Sequence, residues 1–414
     1  MSNEHPVLFS KGTGPNGVPR PKYRGGKCPT TRSRGFRVST ELCHTRAPRK
    51  SRGGDVHASA IKSLLGSTSP ATKLRMKVFV TGGAGYVGSV CVEELLNAGY
   101  QVTVFDNLTE GHRQAVDKRA EFIEGDLANR SVVQESFQRL RPDAVMHFAS
   151  NTLVPASMVH PGQYLGDNIS NAVNLLDACV AAGTKHFVFS SSCAIFGVPK
   201  TVPITEDLPK EPINPYGESK WMVERILAWY EKLFGIRYVC LRYFNAAGAS
   251  EKFGEHHREE THLIPNVLKV ALGQKPSVDI YGTQYPTPDG TCIRDYVHII
   301  DLAQGHRLAL GAKRSDVFNL GSGNGYSVKE VIEVARKVSG RPIKAVERPN
   351  RPGDPPKLVA DSTKIRKVLG WKPRFDSVEP ILESAWRWHL AHPNGYEKER
   401  GTDGPIITLP TTAT

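Results

Sequence analysis

The chain has 414 residues, 39% of them hydrophobic, enough to bury the core of one large or two medium domains. No apolar run approaches the roughly eighteen residues of a bilayer span, so a membrane protein is not expected. Cys28, Cys43, Cys91, Cys179, Cys193, Cys240 and Cys292 are scattered without C-x-x-C spacing, which points to reduced thiols in a cytoplasmic setting and to no structural zinc or other bound metal. The net charge of +13 is unevenly placed: residues 1–75 carry 15 basic and 3 acidic residues, while the other 339, with 39 and 38, are balanced.

Residues 1–75 are rich in Gly, Pro, Ser, Thr and Arg and have no hydrophobic period, so they are expected to be disordered. Three readings compete: a start assigned upstream of a true one at Met76, an organelle transit peptide, or a basic arm for an anionic partner. The abrupt change to folded-domain sequence at Met76 favours the first.

From Met76 onward short β-like runs alternate with amphipathic helical runs, the pattern of a parallel sheet covered on both faces. Strands are predicted at Val78–Thr81, Val102–Phe105, Glu121–Ile123, Ala144–Phe148, His186–Ser190, Tyr238–Arg242 and Val317–Leu320. The first is followed by Gly82, Gly83, Gly85 and Gly88, which satisfy G-x-G-x-x-G, and then by a helix predicted over Ser89–Ala98 that stops at Gly99. Such a turn lets the backbone bend tightly and approach a pyrophosphate at a helix N-terminus. The next strand ends in Asp106, about twenty residues on, where a dinucleotide site needs a carboxylate for the adenosine ribose.

The strand ending at Ser190 runs into Ser191, Ser192 and Cys193, and Asn214-Pro215-Tyr216 opens a predicted helix with Asn as its cap and Pro at its first position. Tyr216 then lies in the first turn and Lys220 one turn later on the same face. A helix N-terminus and an ammonium both favour a phenolate, so the tyrosine pKa is expected to fall toward the range of a general base. Beyond Ala249 the alternation lapses and resumes at Ser327–Val338, where Val328, Val331, Ile332, Ala335 and Val338 keep helical spacing. A smaller second lobe over the C-terminal strand ends is expected, with 76–250 as a dinucleotide domain, 251–396 as a substrate lobe whose segment near 296–320 returns to the first domain, and 397–414 as a flexible tail.

With Ser192, Tyr216 and Lys220 downstream of a glycine turn, the chain resembles the extended short-chain dehydrogenase/reductase family, an α/β doubly wound Rossmann fold with a smaller C-terminal lobe. The resemblance covers about residues 76–396. Arg242-Tyr243-Phe244-Asn245-Ala246-Ala247-Gly248, Tyr281-Gly282-Thr283, the run from Asp289 to His298 and Arg351-Pro352-Gly353-Asp354 resemble its UDP-glucose 4-epimerase branch in particular. That resemblance implies interconversion of UDP-galactose and UDP-glucose through a 4-keto sugar, with retained NAD, in a homodimer formed through the helices that carry Tyr216. It implies Ser192, Tyr216 and Lys220 as catalytic residues. Cofactor contacts would come from Gly82, Gly85, Tyr86, Val87, Gly88, Asp106, Asn107, Asp126, Leu127, Phe148, Ala149, Lys220 and Tyr243. Substrate contacts would come from Ser192, Tyr216, Asn245, Tyr281, Arg294, Arg351 and Asp354.

Three positions depart from the family pattern: Thr152 stands where some members have a phosphate-reaching lysine, Cys193-Ala194 follows the catalytic serine, and Lys357 lies near a position thought to select the sugar. A 4,6-dehydratase would need an acid and a base after the serine strand, which Cys193-Ala194-Ile195 does not supply. A 4-epimerase of UDP-xylose/arabinose, UDP-glucuronate or UDP-N-acetylglucosamine stays open, since pocket contacts separate such sugars by only a few kcal/mol. A non-catalytic dinucleotide- or RNA-binding relative would commonly have lost Tyr216 or Lys220.

Overall fold

The computed structural model describes residues 76–351 and 354–396. The expectations for residues 1–75, for Pro352 and Gly353, and for residues 397–414 lie outside these.

The chain opens with β1 (Lys77–Thr81), α1 (Tyr86–Asn97), β2 (Gln101–Asp106), β3 (Glu121–Glu124), α2 (Arg130–Leu140) and β4 (Ala144–His147). A short α3 (Val154–Val159) and a long α4 (Pro161–Ala182) lead to β5 (His186–Ser192), α5 (Pro215–Phe234) and β6 (Arg237–Tyr243). There follow β7 (Asn245–Ala247), α6 (Leu263–Ala271), β8 (Val278–Tyr281), β9 (Ile293–His298), α7 (Ile299–Ala309) and β10 (Asp316–Leu320). The last elements are β11 (Gly325–Ser327), α8 (Val328–Ser339), β12 (Ala345–Arg348), β13 (Lys357–Leu358), α9 (Thr363–Leu369) and α10 (Val378–Ala391).

Seven strands form one sheet in the order β10-β6-β5-β4-β1-β2-β3. All six pairings are parallel, with Thr81 opposite both Phe105 and His147 and Ser192 opposite Tyr243. The order reverses between β1 and β4, and such a switch point opens a crevice at the carboxyl ends of the strands. Strand β1 shows why the sheet is covered on both faces. Val78 and Val80 enter one core with Val90, Leu95 and Leu302, whereas Phe79 between them enters another with Phe137, Leu176 and Leu227.

A third core joins α6, β8, α8 and α10 through Val267, Ile280, Val331 and Leu382. Helix α8 starts where a capping box sits: the Ser327 side chain accepts from the Glu330 amide, and the Glu330 carboxylate accepts from Ser327 N. The predicted strands fall within one or two residues of those observed, but α1 begins at Tyr86, three residues earlier than expected, because Gly85 is already its N-cap. It ends as expected, with Gly99 at φ +85° and its amide on the Leu96 carbonyl. Among the described residues no helix is long and apolar enough to cross a membrane.

Candidate active site

A cleft of about 1630 Å³ runs along the carboxyl ends of the strands, lined on one side by Gly82, Gly85, Asp106 and Phe148 and on the other by Asn245, Arg294 and Asp354. A single drug-sized ligand usually occupies about 300–1,000 Å³, so there is room for more than one such molecule.

The glycine turn is built for close approach. Gly82 has φ +73°, and a Cβ there would sit 2.5 Å from the Ala149 amide nitrogen. A Cβ on Gly88 would sit 2.1 Å from the Gly82 carbonyl oxygen, so α1 packs on its own turn only with glycine there. Gly85 is different: its missing Cβ faces the cleft, with the Gly82 carbonyl 3.4 Å away as its one near neighbour. It caps the 12-residue α1 without a side-chain hydrogen bond and with no acid in the first turn, which leaves the first amides and the positive end of the helix dipole to an anion.

Asp106 lies across this turn, 7% exposed. Its Oδ2 accepts from Ala84 N at 3.0 Å and its Oδ1 from Leu108 N at 2.9 Å. Burial raises its pKa while those two amides lower it. The carboxylate therefore shapes the cleft and retains lone pairs for a ligand hydroxyl. Asn107 donates to Asp126 at 2.9 Å, and Asp126 accepts from Ala128 N, so these two cleft residues hold each other. Phe148 and Ala149, just past β4, are pinned by their amides to the Thr81 carbonyl, and Leu127 completes this wall.

The structure brings Ser192, Tyr216 and Lys220 together. Strand β5 extends two residues further than predicted, so Ser192 is its last residue; its side chain accepts from Ala194 N at 3.2 Å, and Ser192 and Tyr216 both line the cleft. Asn214 caps α5 as expected, with its side chain accepting from Gly217 N at 2.8 Å and Pro215 at the first helical position. Lys220 is 2% exposed; its ammonium donates to the Ser190 carbonyl at 2.9 Å and lies 5.7 Å from the centre of the Tyr216 ring. Tyr243, opposite Ser192 in β6, shares a hydrogen bond with the Ser190 hydroxyl.

The electrostatics correct one expectation. Burial pushes the Tyr216 phenol up to about 12, and of its neighbours only the Ser192 side chain acts downward on it. Lys220 does not depress it, because burial lowers the lysine itself to about 7. Desolvation is the largest influence on the phenol in the protein alone.

The substrate-side residues converge as expected but are already paired. Arg294 donates to Asp354 at 2.5 Å, Asn245 donates to the Asp295 carbonyl at 3.0 Å, and the Arg351 guanidinium stacks 3.9 Å from the centre of the Tyr281 ring. Of the departures, Thr152 lines the cleft and Cys193 is a buried thiol pushed up to about 12, a poor nucleophile. Lys357 is exposed on β13, while its neighbour Leu358 lines the cleft.

Two positioning groups escaped the sequence reading. Asn168 of α4 donates to Ser219 Oγ at 3.0 Å and exchanges hydrogen bonds with the Asn151 backbone, and Ser219 donates to the Tyr216 carbonyl at 2.7 Å. Glu224 of α5 receives Arg242 through two nitrogens at 2.9 and 2.6 Å and the Ser191 hydroxyl at 2.6 Å, the ion pair being only 2–3% exposed. The available signal was spacing: Asn168 falls among Tyr164, Ala172 and Leu175 on the buried face of α4, and Glu224 falls one turn after Lys220.

Residues 78–321 match the model of the NAD dependent epimerase/dehydratase family. A UDP-glucose 4-epimerase of Lactobacillus helveticus is 51% identical over 328 residues, 78% of this chain and 99% of that protein. A crystal structure of a UDP-glucose 4-epimerase superposes with a TM-score of 0.76 at 45% identity, covering 78% of this chain and 100% of the other. The Bifidobacterium longum UDP-glucose 4-epimerase in complex with NAD+ and UDP gives 0.75 at 37% identity, covering 78% and 100%. With the family model matched over more than half of its length and a relative this similar covered almost end to end, the chain belongs to the NAD dependent epimerase/dehydratase family.

Proposed function

We propose that this protein is a UDP-glucose 4-epimerase that interconverts UDP-galactose and UDP-glucose with a retained NAD. The observation that carries the reading is the meeting of Ser192, Tyr216 and Lys220 at the end of β5, in the same cleft as an uncapped helix N-terminus. Similarity to UDP-glucose 4-epimerases over almost the whole length of those proteins supports the choice within the family.

Gly82, Gly85, Tyr86, Val87 and Gly88 would hold the pyrophosphate of NAD, Asp106 and Asn107 the adenosine ribose, Asp126 and Leu127 the adenine side, and Phe148, Ala149 and Tyr243 the nicotinamide side. When bound, NAD supplies a reversible acceptor for the C4 hydride. Tyr216 takes the proton from the sugar 4-hydroxyl and later returns it, while Ser192 hydrogen-bonds the same oxygen and orients it. Lys220, fixed on the Ser190 carbonyl beside the phenol, binds the ribose hydroxyls and gains charge when an electronegative partner enters. Asn245, Arg294 and Arg351 serve the diphosphate and sugar, Tyr281 the uracil, and Asp354 the uridine ribose. On this reading residues 76–250 make the cofactor domain and 251–396 the sugar-nucleotide lobe, with the segment near 296–320 returning to the first.

The exposed position of Lys357 favours a neutral hexose over an acidic sugar. We also propose a cytoplasmic homodimer through α5, whose Trp229, Leu233 and Phe234 are 58%, 63% and 45% exposed, more apolar surface than a monomer's helix normally shows to water. Supplying UDP-galactose, UDP-xylose, UDP-glucuronate and UDP-N-acetylglucosamine in turn, without added NAD, tests the reading. Fastest turnover of UDP-galactose is expected, and turnover of another sugar alone would replace it.

A further inference from the structure

The segment between β7 and α6 carries a second cluster, Glu255, His257, Glu260 and His262, that the epimerase chemistry does not use. One ligand atom from each residue lies within 4.8 Å of every other. The two histidines present Nδ1 to the same pair of carboxylates: His257 Nδ1 is 3.6 Å from Glu255 and 3.2 Å from Glu260, and His262 Nδ1 is 2.9 and 3.4 Å from them. An imidazole carries at most one N–H at Nδ1 and cannot donate fully to two acceptors. A tetrahedral ion with nitrogen and oxygen ligands at about 2.0–2.1 Å requires ligand-to-ligand edges of about 3.3–3.4 Å. The three distances that share Glu255 Oε1 or Glu260 Oε2, at 3.6, 2.9 and 3.2 Å, scatter about that length, and Glu260 meets His262 through its other oxygen, Oε1, at 3.4 Å, so that carboxylate turns both oxygens to the cluster.

Charge and access agree with this geometry. The Glu255 and Glu260 side chains are only 6% and 3% exposed, and among the described residues neither is paired with a lysine or arginine. Two buried carboxylates call for a compensating dication or for two imidazolium protons. The His262 side chain, 54% exposed, leaves a way in from solvent.

We propose that Glu255, His257, Glu260 and His262 form a binding site for a divalent transition-metal ion, with zinc the best match to two imidazoles and two carboxylates in tetrahedral array. Its role is structural, since all four ligands come from the chain. The site ties down the cleft wall: His257 packs edge-on to Tyr86 at 6.3 Å between ring centres, and Arg258 inside the loop donates to the Leu108 and Thr109 carbonyls after β2. His256 stacks on His112 at 4.6 Å. An ion there would brace the loop against both the glycine-turn helix and the segment following Asp106.

The test uses the full chain, stripped with chelator and titrated with Co2+ as a spectroscopic substitute. One cobalt per chain with intense visible bands of a four-coordinate ion is expected, displaced by zinc. His257→Ala and Glu260→Gln, checked for folding by thermal unfolding, should weaken binding by at least about 10–100-fold. Should His257→Ala not fold, the near-isosteric Glu255→Gln and Glu260→Gln decide. A folded wild-type chain that takes up no cobalt or zinc would overturn the proposal and leave a hydrogen-bonded ion-pair network. Unchanged uptake in folded variants would overturn it too, by placing the ion elsewhere.

Discussion

Lys220 Nζ donates to the Ser190 carbonyl at 2.9 Å in a nearly solvent-free position, and this contact fixes the amine beside the Tyr216 ring. Burial lowers the lysine to about 7 from an ordinary 10.5, so between those values the unfolded chain holds a proton that the folded chain does not. The cost of burying the ammonium is therefore present in full below pH 7 and fades as pH rises toward 10.5. Lys220→Met removes this cost. The unfolding free energy of the ligand-free wild type minus that of Lys220→Met should rise between pH 6.5 and 9.5, read by urea denaturation at several pH values; a flat difference would contradict the desolvated lysine.

Tyr216→Phe keeps the ring and its packing but removes the group that exchanges the proton. Turnover should fall by about 10²–10⁴-fold, the usual worth of a positioned acid–base group, with the thermal midpoint and bound NAD little changed. Because the phenol stands near 12 in the protein alone, binding of NAD should move its ionisation downward. Ultraviolet difference titration of the holoprotein against Tyr216→Phe reads that shift.

The Glu224–Arg242 pair is buried and carries two hydrogen bonds of its own and a third from Ser191. Glu224→Ala leaves the guanidinium without its partner and should cost about 3–5 kcal/mol of stability. Equilibrium urea unfolding measures it; a loss below about 1 kcal/mol would mean that solvent reaches the pair.

Two glycines should respond differently to alanine. At Gly88 the new Cβ would meet the Gly82 carbonyl at 2.1 Å, so Gly88→Ala should displace the turn and abolish NAD retention. At Gly99 nothing lies within 4 Å, and only the positive φ of +85° opposes the change, a cost of about 1–2 kcal/mol with NAD retained. Nucleotide released on denaturing equal amounts of each variant distinguishes them.

Much of this was legible in the chain because each device is local. The glycine spacing, the Asn214-Pro215 helix start and the period-2 and period-3.6 apolar runs depend on neighbours within a few residues, and strands, cap and turn stand where they were expected. What escaped depends on distant partners. The pairing of Asn168 with Ser219 joins residues 51 apart, and that of Arg294 with Asp354 joins residues 60 apart. The direction of the Tyr216 shift also followed from burial, which a dipole-and-charge argument on one helix does not contain.

The central claim is that hydride leaves and returns to C4 within one bound complex while Tyr216 exchanges only the hydroxyl proton. UDP-galactose carrying deuterium at C4 should be converted, without added NAD, to UDP-glucose retaining that deuterium at C4. Loss of the label to water, or strict dependence on added NAD, would contradict the account.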